Sequence, residues 1–133
     1  MGHLVEITQK HVFSNEDISD LLVSALEGGI NYWCKGVEIL RNKVANTYAG
    51  ISEEDQSKVK YSSDVIGLGG KLELYDIDDD DAHWTLDLPK MLNGIKLYCE
   101  AKHLSLTSLI DNHDADDADC IIQFALFGKM EFC

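Results

Sequence analysis

The 133-residue chain carries 24 Asp and Glu against 11 Lys and Arg, a formal net charge of −13, with 45% hydrophobic and 26% charged residues. That much apolar mass supports a core without staples, which excludes a disordered tail and makes a disulfide scaffold unnecessary. The negative charge repels phosphate backbones, no apolar run reaches the roughly 18 residues of a membrane span, and residues 1–10 hold no apolar signal core, so a soluble cytoplasmic domain with neither nucleic acid nor membrane as direct partner is expected.

Residues 4–8 and 11–13 are apolar and β-branched enough to predict a first strand, with Val5 and Ile7 on one face. Ser14 with Asp17 three residues later forms a variant capping box. Behind it Ile18, Leu21, Leu22, Ala25 and Leu26 recur at helical spacing, and Gly28–Gly29 end that helix by accepting the left-handed conformation. Residues 36–41 are read as a strand, Ser52 as the cap of a further helix start, and 63–69 as a helical turn closed by Gly69–Gly70.

A hairpin follows, Leu72 and Leu74 on one arm and Trp84 and Leu86 on the other, joined by the aspartate run 78–81. Asp87 caps the next helix with Pro89 in its first turn, and Gly94 within the stripe Leu88, Met91, Leu92, Ile95, Tyr98 signals close packing. The last helix starts near 114–116 and stops at Gly128. It is apolar nearly all round, Gln123 being the only polar residue between 120 and 127. Residues 129–133 read as a closing strand. Strands and helices alternate without a βαβ rhythm, so the fold class is α+β: one compact domain over 1–133, a small mostly antiparallel sheet packed with three or four helices.

Chemical motifs are scarce. Gly67–Gly70 lacks the third glycine of a dinucleotide loop and precedes a strand, and Gly70-Lys71 is followed by Leu72 where a P-loop has Ser or Thr. Asp76-Ile77-Asp78-Asp79-Asp80 opens like a calcium loop but has Asp81 at the glycine position and Asp87 at the glutamate position. Four cysteines and five histidines show no metal spacing, and no nucleophile motif occurs; catalytic residues, metal ligands and cofactors are therefore assigned to none.

What stands out is where the charge lies. Residues 76–119 hold 12 acids and three lysines, a net of −9, leaving −4 for the rest of the chain. Asp78, Asp79, Asp80 and Asp81, with Asp114, Asp116 and Asp117, are the candidates for binding a partner with a basic surface, although carboxylates in a helix's first turn also serve its dipole. Asn31, Tyr32 and Trp33, after the two glycines, form a corner that could anchor a partner or stack a nucleotide base; filling the core is the plainer role for it. Phe124 and Phe127 exceed what one face of a small core needs, which points to a homodimer.

The segment Ala25-Leu26-Glu27-Gly28-Gly29-Ile30-Asn31-Tyr32-Trp33-Cys34, the Gly69–Leu74 stretch, Leu92–Ile95 and the helix end Asp119–Gly128 together resemble a family of small uncharacterised bacteriophage proteins. The resemblance implies provenance, not catalysis: an accessory protein acting in the bacterial host cytoplasm, binding and inhibiting a host factor such as an antiviral defence component. A nucleotide-sequestering protein using Lys35 or Arg41 for phosphate, and a nucleic-acid mimic, are the alternatives.

Overall fold

The computed structural model describes residues 2–6 and 10–133, so Ile7 of the expected first strand lies outside the described residues. The segment read as one strand is two, β1 (Gly2–Glu6) and β2 (Lys10–Ser14), paired antiparallel with Leu4 opposite Val12. Val5 and Phe13 point into the core, while Leu4 and Val12 stay exposed. Two short apolar stretches separated by polar residues fit a hairpin as well as a single strand, and pairing satisfies both backbones.

Ser14 caps α1 (Asn15–Ser24) with the reciprocal bonds expected of it: the Asp17 N–H donates to Ser14 Oγ (3.0 Å) and the Ser14 N–H to Asp17 Oδ2 (2.9 Å). Ile18, Leu21 and Leu22 are buried. The helix then widens into a π turn, Ala25–Gly29. Neither Gly28 nor Gly29 takes a positive φ, which corrects the left-handed reading of this helix end. Gly29 is small for another reason: a Cβ there would lie 2.5 Å from the Ala115 carbonyl oxygen.

The three-stranded sheet runs β3 (Cys34–Ile39), β6 (Leu72–Asp76), β7 (His83–Leu86), antiparallel throughout, with a bulge between Cys34 and Gly36. Val37 lies opposite Leu74 and Leu74 opposite Trp84, which sets one face toward the core. On the other face Glu38, Glu73 and Thr85 stand in a row. Glu73 is buried there, accepting from Thr85 Oγ1 (2.7 Å) and paired with His83. Between β3 and β6 lie the small hairpin of β4 (Arg41–Asn42) and β5 (Thr47–Tyr48) and two 3-10 turns, Glu53–Lys58 capped by Ser52 and Ser62–Asp64.

Asp87 caps α2 (Leu88–Lys102), with Pro89 in its first turn. The short α3 (Leu106–Asn112), capped by Ser105, was not foreseen, since seven residues carry too little periodicity to announce themselves. Asp114 and Asp117 form the capping box of α4 (Ala115–Phe127), and Gly128 ends that helix in the left-handed region at φ 72°. α4 packs along α2. Gly94 permits the contact: a Cβ would sit 2.6 Å from the Ile121 carbonyl oxygen and 2.7 Å from the Ala125 Cβ. Strands and helices segregate as an α+β fold around one core cluster that includes Phe13, Ile18, Leu72, Met91, Ile95 and Ile121. Among the described residues no helix is long and apolar enough to cross a membrane.

Candidate functional site

The corner 30–33 follows the π turn and is held by Trp33 N–H donating to the Ile30 carbonyl (3.1 Å) before β3 begins. Trp33 is 1% exposed. Its ring stacks on Phe132 with centroids 5.1 Å apart and planes at 6°, and meets Trp84 and Phe127 edge-on. It presents no face to a ligand, so its candidacy as a stacking platform is corrected: Trp33 fills the core.

Three donors converge on Asp119. Trp33 Nε1 donates to Asp119 Oδ1 (2.8 Å), Gln123 Nε2 to the same oxygen (2.8 Å), and the Tyr32 hydroxyl to Oδ2 (2.6 Å). Asp119 is 6% exposed and Gln123 fully buried, a depth at which such groups persist only with partners. Gln123 Oε1 in turn accepts the backbone N–H groups of Glu131 and Phe132, both at 2.8 Å. The expected closing strand at 129–133 is therefore absent, because the tail bonds to a side chain and not to a sheet edge. Burial, and then the bond to Asp119, push the Tyr32 phenol up to about 12. Tyr32 as a residue nonetheless remains 45% exposed, and Asn31 is exposed.

The aspartate run builds its own turn. Asp76 Oδ1 accepts from the N–H groups of Asp78 (2.7 Å) and Asp79 (3.0 Å), and Asp79 Oδ1 from that of Asp81 (3.0 Å). These are Asx turns, the local bonding for which Asp is favoured in loops. Ile77 N–H donates to the Trp33 carbonyl (2.9 Å), tying the turn to the corner. Asp78 through Asp81 are all exposed. Lys35 Nζ lies 2.6 Å from Asp80 and holds its carboxyl below the usual range. Between corner, turn and tail opens a groove of about 370 Å³.

The second acidic cluster lies at the start of α4, where Ala115 packs against Gly29 of the π turn. Asp114 and Asp117 are occupied as the capping box, and Asp117 also accepts from the Tyr98 hydroxyl, whose phenol burial and that carboxylate push up. Asp116 is exposed. Two of these three candidates thus have structural work.

A second recess of about 270 Å³ lies between α1 and the Tyr61–Ser63 segment and is mainly apolar. Burial raises the thiols of Cys34, Cys99 and Cys120, and Cys99 reaches about 11. Raised thiols are poor nucleophiles. Among the described residues no group of three or more His, Cys, Asp or Glu is placed to hold a metal ion. Comparison of the chain with known protein families, curated proteins and solved structures gives no match.

Of the candidates, the structure gathers Tyr32, Asp78 and Asp79 around one groove and sends Trp33 inward. Of the groups the nucleotide alternative would use, Trp33 is covered, Lys35 is paired with Asp80 at the surface, and the Arg41 guanidinium lies 4.4 Å from the Tyr48 ring centroid. Asp119 and Gln123 were the residues missed. The signal was present in Gln123, a lone amide in an apolar helix, which must find partners once buried.

Proposed function

We propose that this chain is a non-enzymatic binding protein that docks on a basic surface of another protein and blocks it. The observation that supports the reading is the aspartate turn: four carboxylates, Asp78 to Asp81, on one exposed loop, of which Asp80 alone meets a lysine among the described residues. Exposed carboxylates keep their hydration and cost the fold little, while their summed field speeds encounter with a basic partner. The resemblance to phage proteins makes that partner a host factor in an infected bacterium, with a defence component the natural target. A partner that normally binds nucleic acid would offer such a surface, which keeps nucleic-acid mimicry within the same reading.

The test is capture from bacterial lysate with three baits: the unaltered chain, Asp78→Asn/Asp79→Asn/Asp81→Asn, and a control neutralised at Asp20, Glu53 and Glu54. A protein held by the first and third baits and lost by the second supports docking through the turn. Equal capture by all three overturns it.

We also propose self-association through α4, where Cys120, Phe124 and Phe127 fall at i, i+4 and i+7 and each stays partly exposed. A solution mass of twice the 14.9 kDa chain is the expected result, and the single-chain mass the contrary one.

A further inference from the structure

The groove beside the aspartate turn has a shape and lining more specific than its charge. Its lining includes Tyr32, a residue 45% exposed, and Ile77, 43% exposed. Phe132 lines it too, its ring stacked on Trp33 with centroids 5.1 Å apart. Asp78 and Asp79 complete the acidic side. The Asp78 carboxylate accepts no hydrogen bond among the described residues, and Asp79 uses only Oδ1, toward the Asp81 N–H. An aromatic residue beside one unengaged carboxylate and one with a free oxygen is the combination that suits a guanidinium. Its flat, weakly hydrated face stacks on a ring while its forked N–H groups bond carboxylates in pairs. An ammonium of the same charge is a strongly hydrated point and gains less from the ring. The groove's volume of about 370 Å³ lies within the range of small-ligand pockets, ample for one long side chain.

We infer that this groove takes an arginine side chain presented by the partner polypeptide, with the guanidinium against Tyr32 and the Asp78 and Asp79 carboxylates at its N–H groups. The inference rests on the docking function proposed above and names the residue type by which the partner is held. A residue within a chain is the fitting occupant, since docking on another protein presents the side chain from a polypeptide.

Acetyl-Gly-Arg-Gly-amide, its lysine and citrulline counterparts, and free arginine are titrated into the full chain and followed by backbone amide shifts. The expected result is saturable shifts centred on Tyr32, Ile77 and Asp78, with the arginine peptide binding about tenfold tighter than the citrulline peptide and severalfold tighter than the lysine peptide or free arginine. Asp78→Asn/Asp79→Asn abolishes the difference, whereas the remote Glu53→Gln/Glu54→Gln, of equal charge change, preserves it. Tyr32→Phe keeps the ring and retains arginine preference. Equal binding of arginine and lysine peptides, tighter binding of free arginine, or shifts spread over the whole acidic surface would each overturn the inference. Such a failure would leave charge-dependent capture from lysate intact, so the two ideas fall separately.

Discussion

Asp119 and Asp78 are the same residue type about one helix-to-loop step apart around Trp33, and they do opposite things. Asp119 lies 6% exposed beneath three donors, and through Gln123 it helps fix the tail to the core. Asp78 stands in solvent with its carboxylate unengaged, while its neighbours spend theirs on shaping the turn. A buried carboxylate is conditional on its partners, and removing either side leaves orphaned polar groups at full desolvation cost. An exposed carboxylate can be changed almost without consequence for the fold. The Tyr32–Trp33–Asp119–Gln123 clasp is thus bound up with stability, while the surface turn stays open for the docking proposed for it.

Breaking the clasp has the largest effect. Asp119→Ala leaves the Trp33 indole N–H, the Gln123 amide and the Tyr32 hydroxyl without their acceptor, and urea unfolding should show a loss of about 3 kcal/mol. Trp33 fluorescence should also shift to the red as the tail loosens.

Gly94→Ala attacks the same region from behind. The new methyl meets the Ile121 carbonyl and Ala125, so α4 must move from α2, at a cost of about 2 kcal/mol in the same unfolding measurement. A variant of unchanged stability would mean that α2 and α4 are looser than described.

Alkaline pH probes the buried groups. Cys99 moves from 9.0 to about 11 and Tyr32 from 10.0 to about 12, both chiefly by burial, so the folded chain holds these protons more tightly than the unfolded chain. Their contribution is complete below about pH 9 and is lost as pH rises through about 11 to 12. Melting temperature should fall across that window, and Tyr32→Phe should make the upper part of the descent shallower.

How much of this could be read from the residues alone divides along the same line. Features set by local geometry were legible: the Ser14–Asp17 cap, the start of the last helix near 114–116, Pro89 behind Asp87, the close approach at Gly94, and the aspartate loop between two strands. Features set by distant contacts were not. The Gly28–Gly29 pair looked like a helix stop, but Gly29 is dictated by Ala115, 86 positions away. Residues 129–133 alternate like a strand, yet their backbone bonds to the Gln123 side chain, a choice that depends on where α4 places it. Asp119 looked like one more charge at a helix start, and only the fold shows it facing inward. In the site, Tyr32 and the aspartates were visible as chemistry, while their shared groove with Phe132 required the tail's position.

The smallest effect on stability and the greatest consequence for function are expected of one variant, Asp78→Asn/Asp79→Asn/Asp81→Asn. Its unfolding free energy should lie within about 0.5 kcal/mol of the unaltered chain. The decisive measurement is binding of the lysate-captured protein to this variant by titration calorimetry, beside the unaltered chain. Retained fold with affinity lowered at least tenfold is the result predicted for a recognition turn carried on a separate structural clasp. Undiminished affinity in a folded variant would contradict it.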